Sequence, residues 1–158
     1  MYSIGEHIVH PLHGAGVIEE IEGRKTGDTV KQFYVVHINK GSMTVKIPVE
    51  SCDSIGVRPV VDYDYAERVM NSFRGLEIDM TQNWNKRYRD NLQKIRSGDL
   101  FEVASVIKGL MERDSEKGLS NGERKMLRSA KQILISEIVI AQQSSYEEVE
   151  DRLNAALA

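Results

Sequence analysis

The single tryptophan of the chain, Trp84, stands in NWNKRYRDNLQKIRS beside Lys86, Arg87 and Arg89, with Lys94 and Arg96 further on and only Asp90 opposing them. Five positive charges against one make a local +4 in a protein whose formal charge is −3. A ring among cations suits nucleic acid: the cations take phosphates and the flat ring presses against a base step. A second basic set, Arg124, Lys125, Arg128 and Lys131, lies in NGERKMLRSAK. The plainer alternative is a core. Trp84, Tyr88, Leu92 and Ile95 fall at i, i+4, i+8 and i+11, one stripe of a helix, and such a stripe usually packs inward. Spacing favours burial, whereas the place of Trp84 at the helix start and the local charge favour exposure. The residues alone leave both open.

Other chemistry is thinner. His7, His10, His13 and His37 invite a metal, but strand parity sends His7 and His10 to opposite faces and a turn separates His13. No cysteine pair or carboxylate cluster completes a ligand set. Cys52, the sole cysteine, excludes an internal disulfide framework, suits a reducing compartment and reads as a small buried residue. There is no GxSxG, P-loop or GxGxxG, and HGAG has the wrong spacing and runs on into a strand. Acidic pairs such as Glu19-Glu20 and Glu147-Glu148 read as solvated surface. Neither an enzyme nor a cofactor protein is expected.

These residues need elements to position them, and two periods divide the 158-residue chain. The first sixty residues alternate at period two in HIVHPLHGAGVIEEIEG and KQFYVVHINKGSMTVKIPVE, with breaks at Pro11 to Gly16, Gly23 to Asp28 and Asn39-Lys40-Gly41. Four or five short strands with tight turns predict a small bent barrel of the SH3 or Tudor kind. Beyond VRPVVDYD the period is helical: YDYAERVMNSF, then NWNKRYRDNLQKIRS closed by Gly98, then DLFEVASVIKGLMERDSEKG closed by Gly118. Ser120 with Glu123 forms a capping box for a long fourth helix whose apolar face is Leu127, Ala130, Leu134 and Ile138. Ser144 with Glu147 is expected to cap the last. The fold class is α+β, a β-barrel over 1–58 and an all-α domain over 59–158. The start, MYSIGEHIVH, lacks the basic and apolar regions of a secretory signal, and ILISEIVIA is short and holds Glu137, so neither an export signal nor a membrane span is expected.

Four pieces in order, GEHIVHPLHGAGVIEEIE, MTVKIPVE, NWNKRYRDNLQKIRSGD and KGLSNGERKMLRSAKQILISE, resemble the CarD/CdnL family of bacterial transcription regulators over essentially the whole chain. The resemblance implies an N-terminal Tudor-like domain, related to the polymerase-binding module of the transcription-repair coupling factor, that binds the β1 lobe of the RNA polymerase β subunit. It implies a helical domain that contacts promoter DNA at the upstream fork of the transcription bubble, where a tryptophan wedges into the minor groove. By match, Trp84 is that tryptophan, Lys86, Arg89 and Arg124 belong to the DNA-binding patch, and Arg24 and Lys46 contact polymerase. The best-known members carry arginine where this chain has Lys46; lysine keeps the charge but loses the planar fork of a bidentate contact.

The expectation is a non-enzymatic, cytoplasmic regulator, nucleoid-associated through polymerase, that stabilises the open promoter complex with Trp84, Lys86, Arg87, Arg89, Arg124 and Lys125 on DNA. No small-molecule substrate or membrane is expected. The main rival is a polymerase-bound adaptor whose helical domain recruits another protein, with Trp84 as its anchor. A free-standing DNA binder is disfavoured by the acidic total.

Overall fold

The computed structural model describes residues 1–38, 43–78 and 80–157. Five strands form one antiparallel sheet: β1 (His7–His10), β2 (Gly14–Thr26), β3 (Thr29–Ile38), β4 (Met43–Pro48) and β5 (Arg58–Pro59), in the order β4-β3-β2-β1-β5. A 3₁₀ turn (Val49–Ser51) and the short α1 (Cys52–Ile55) intervene between β4 and β5. The α+β expectation holds, with the small Tudor-like sheet first and the helices after it. The turn expected over Gly23 to Asp28 is tighter. β2 runs on to Thr26, and Gly27, at φ +63°, makes the reversal with Asp28. The hairpin expected at Asn39-Lys40-Gly41 lies outside the described residues.

Alternation decides which side of the sheet is core. Ile8, Ile18, Tyr34, Val36, Ile38 and Ile47 pack with Cys52 and Val57 beneath it. Burial pushes the Cys52 thiol above its usual pKa, which keeps it protonated and unreactive.

The helices are α2 (Tyr63–Ser72, followed by a 3₁₀ turn, Phe73–Gly75), α3 (Trp84–Arg96), α4 (Leu100–Lys117), α5 (Asn121–Gln142) and α6 (Tyr146–Leu157). Their ends follow local chemistry. The side chains of Asp62, Asn83, Asp99 and Ser120 accept backbone N–H groups of the first turns, and Gly98 and Gly118 take positive φ just past α3 and α4. One cap is displaced. Gln143 closes α5 in the left-handed region and the Ser144 N–H donates to Val139 O. Ser144 thus belongs to the preceding helix end, and it is Ser145 Oγ that accepts from the Glu148 N–H at 3.1 Å.

Of the face expected on α5, Ala130, Leu134 and Ile138 are buried and Leu127 is half-buried. Yet α5 is buried all round at its middle: Ile133–Ile138 is an unbroken buried run. A helix covered on every side must sit between two layers. Here one side meets α2 and α4 and the other meets the sheet. Ser136 Oγ accepts from the Ala15 N–H at 2.9 Å, and Gly14 lies so close that a Cβ there would sit 2.6 Å from Ser136 Oγ. Beside it Arg58 of β5 makes two hydrogen bonds to Glu137, at 2.6 and 2.7 Å, and its Nε donates to Gly98 O at 2.9 Å. Val61 N–H also donates to Glu137, at 2.9 Å. The glutamate that bars ILISEIVIA from a membrane is therefore an internal tie between the sheet and the helices. No described helix is long and apolar enough to cross a membrane.

Candidate nucleic-acid interface

Asn83 starts α3 by capping the Lys86 N–H at 3.0 Å, which makes Trp84 the first helical residue. A first-turn side chain projects past the end of the bundle, and Trp84 is 42 % exposed. Along the same stripe Tyr88 and Leu92 are half-buried and Ile95 is buried, so the stripe sinks into the core as it leaves the tryptophan. The stripe is thus exposed at its head and buried at its tail.

The exposed ring is held. It stacks on Tyr88 with centroids 5.1 Å apart and planes 18° from parallel. Its Nε1–H donates to Ser120 Oγ, the cap of α5, at 3.1 Å. Both rings reach over Gly122, where a Cβ would lie 3.7 Å from each. The first turns of α3 and α5 therefore meet beneath Trp84.

Arg87 makes the other half of that junction, and here the structure corrects the sequence. Expected on DNA beside Lys86 and Arg89, Arg87 is only 1 % exposed. Its Nε donates to Glu123 Oε2 at 2.8 Å and its Nη2 to Glu123 Oε1 at 3.3 Å. Its Nη1 donates to the carbonyls of Thr81 and Gln82, both at 3.2 Å. The helix period explains this: Arg87 and Asn91 are four apart, on a face that turns toward α5 and the segment before α3. Arg87 is a structural cation and adds little to an outward field.

Lys86 and Arg89 on α3, and Arg124 and Lys125 in the first turn of α5, are exposed. Lys86 pairs with Asp90 at 3.1 Å, an exposed i,i+4 contact that water largely screens. Arg89, Arg124 and Lys125 make no ion pair among the described residues. Four cations thus remain outside the buried pair, at the end of the helical layer where Trp84 emerges.

Glu123 carries a pH signature. Burial alone would raise its pKa, but the hydrogen bonds and charge of Arg87 outweigh it, and the net shift is downward from 4.5. A carboxyl depressed in the folded state contributes stability that is complete above the ordinary glutamate value. That stability is lost as pH falls through the folded value. Glu67, held down by Gln142 and Arg152, and Glu22, held down by Lys46, add to the same acid limb. Glu123→Gln is expected to be weaker at about pH 7 and to lose less on going to about pH 3.5 than wild type does. Urea midpoints at the two values check this, and equal losses would place the titrating group elsewhere.

Arg24 and Lys46 lie apart from this end, on the outward face of the sheet. Cross-strand pairing sets Glu22 opposite Phe33, Arg24 opposite Lys31 and Lys46 opposite Val35, all on one side. The Arg24 guanidinium carbon is 5.4 Å from the Phe33 ring centre, and Lys46 Nζ is 2.9 Å from Glu22 Oε2. β4 pairs only with β3 among the described residues, so its outer edge is open. Phe33 and Val35 were not singled out from sequence because FYVV is apolar on both parities. Ser120 and Glu123 were read as a cap, but not as partners of α3.

His7 and His10 are three apart in β1, as strand parity requires for opposite faces, and the turn that carries His13 folds it back against His10. His10 and His13 have ring centres 4.5 Å apart across the β1–β2 turn, and His10 Nδ1 accepts from the Leu12 N–H at 3.1 Å. Burial, then the neighbouring His13, lowers the His10 pKa.

Over residues 68–154 the chain matches the family profile described as CarD, C-terminal domain, and over residues 2–61 that of the CarD-like/TRCF RID domain. It is 39% identical over 140 residues to the Bacillus subtilis (strain 168) protein named "Putative transcription factor YdeB", an alignment covering 89% of this chain and 92% of that protein.

Proposed function

The chain belongs to the CarD-like family of transcription factors, and from that premise we propose that it binds RNA polymerase through its sheet and stabilises the open promoter complex through Trp84. The observation that carries this is the state of Trp84, a large ring 42 % exposed yet fixed by a stack and a hydrogen bond at the end of the helical layer. A ring needed only for packing would be covered. A fixed, exposed ring with Lys86, Arg89, Arg124 and Lys125 on the adjoining turns suits a wedge that enters DNA while cations hold phosphates.

The magnitudes are adequate. Stacking is worth about 1.4 kcal/mol per base-pair step, and a ring at the upstream fork that adds on the order of 1–2 kcal/mol lengthens the life of the bubble several-fold or more. Four exposed cations on a chain of net charge −3 bind DNA weakly. A tether to polymerase supplies the effective concentration that makes weak contacts sufficient. The tether we assign to the outward face of the sheet, within the domain proposed over 1–58. Arg24, Phe33 and Lys46 offer charge and a ring there, and β4 offers an open edge for strand pairing with the β1 lobe of the β subunit. Lys46 acts there as a single charge already shared with Glu22. Such a role puts the protein in the cytoplasm, on the nucleoid through polymerase.

The test is the lifetime of a preformed polymerase–promoter open complex after competitor challenge, without the protein, with wild type and with Trp84→Ala. Circular dichroism and a polymerase pull-down control folding and binding. A lifetime lengthened by wild type but not by the folded, bound variant supports the wedge. A wild type that binds polymerase and leaves the lifetime unchanged would mean that the helical layer serves a protein partner instead.

A further inference from the structure

We propose that Ser120 is a positioning residue for Trp84, holding the indole in the orientation in which it meets DNA. The inference rests on the DNA reading of Trp84 given above and adds to it the device that orders the ring.

The geometry of one hydroxyl carries it. Ser120 Oγ accepts from Trp84 Nε1–H at 3.1 Å and from the Glu123 N–H at 3.2 Å, and it donates to Glu123 Oε1 at 3.3 Å. A serine hydroxyl has two acceptor sites and one donor, so all three are in use. The same carboxylate is gripped by Arg87, which belongs to the helix that carries Trp84. The chain of contacts Trp84, Ser120, Glu123, Arg87 therefore closes on α3. Only one of these groups touches the exposed ring through a polar atom, and that group is Ser120.

Tyr88 lies against one face of the indole, but stacking alone leaves the ring free to slide and to turn about its side-chain bonds. The hydrogen bond to Ser120 fixes that remaining freedom. A side chain ordered in advance loses little freedom on binding, whereas a loose one must be immobilised by the DNA. Loss of the bond is expected to shorten the gain in open-complex lifetime about two- to tenfold, less than removal of the ring itself.

Alanine at this position would also strip the helix cap, so the informative pair is Ser120→Gly and Ser120→Thr. Glycine is a serviceable cap residue that lacks the acceptor, and threonine keeps both functions. Trp84 is the sole tryptophan, so fluorescence excited at wavelengths beyond tyrosine absorption reads this side chain and no other. In the full-length free protein, Ser120→Gly is expected to enlarge the fast component of Trp84 anisotropy decay with helix content unchanged. On the polymerase–promoter complex the same variant is expected to give a shortened lifetime gain. Ser120→Thr is expected to restore both. The proposal is overturned if Trp84 in Ser120→Gly is as immobile as in wild type. It is equally overturned if the ring loosens while the lifetime gain stays whole in an assay where Trp84→Ala abolishes that gain. A Trp84→Ala variant that itself leaves the lifetime unchanged would sink the DNA reading, and the anisotropy would then overturn or uphold the ordering role of Ser120 by itself.

Discussion

Arg58→Met is expected to lower the free energy of unfolding by about 3–5 kcal/mol, the range for stranding a buried charge by removing its partner; Arg58 itself is half-buried. Glu137 is fully buried, and Arg58 supplies two of its hydrogen bonds, leaving Val61 N–H as its one donor among the described residues once the guanidinium is gone. The buried carboxylate is then left short of hydrogen-bond donors, which costs stability. Gly98 O loses its donor as well. The effect is expected to vanish largely in Arg58→Met/Glu137→Leu, because replacing both partners with apolar groups removes the desolvation penalty along with the attraction. Urea denaturation followed by circular dichroism measures both variants. A single variant within about 1 kcal/mol of wild type would mean that water had replaced the guanidinium, and that the tie between sheet and helices is weaker than its geometry suggests.

The second large effect concerns Arg87, where sequence and structure predict different experiments. A surface cation facing DNA could be replaced by methionine with a change within about 0.5 kcal/mol in stability and a loss in DNA contact. The buried Arg87 bonded to Glu123, Thr81 and Gln82 predicts a loss of about 3–5 kcal/mol in the free protein instead. Here the double replacement Arg87→Met/Glu123→Leu is expected to recover only part of the loss, because Glu123 Oε1 also accepts from the Ser120 hydroxyl that caps α5. The contrast with the Arg58 pair is itself a check. Full recovery at both sites would show that the Ser120–Glu123 side-chain contact adds nothing measurable. Trp84 emission is expected to shift in Arg87→Met, since the turns that seat the ring are joined through this pair.

The helices were legible because their ends are local. Asn83, Asp99 and Ser120 cap within three residues of themselves, and Gly98 and Gly118 supply positive φ where each helix stops. The last cap was misjudged by one residue for the same local reason in reverse. Both Ser144 and Ser145 can cap, and the left-handed Gln143 decided between them. The sheet was legible where one face is polar, as at Glu20 and Glu22. It was not legible at FYVV, where both parities are apolar and only the packed core tells Tyr34 and Val36 from Phe33 and Val35.

At the candidate interface, charge and spacing picked out Trp84 and its basic neighbours, and could not sort them. Lys86, Arg87 and Arg89 are alike in sequence, and a rotation of one or two residues within a single turn separates the exposed two from the buried one. What selects Arg87 is a carboxylate 36 residues away, which no window along α3 contains. The same separation hides Ser120 from Trp84, although each was legible as a helix-start residue. Local hydrogen bonding and the period of the apolar residues determined the elements, their order and the local basic character around the tryptophan, because these depend on near neighbours. Which cation is buried, how the ring is held and where Glu137 finds its partner were decided only when α5 packed between the sheet and the other helices. Desolvating a charge is costly unless a partner arrives from elsewhere in the chain, and only the fold brings that partner.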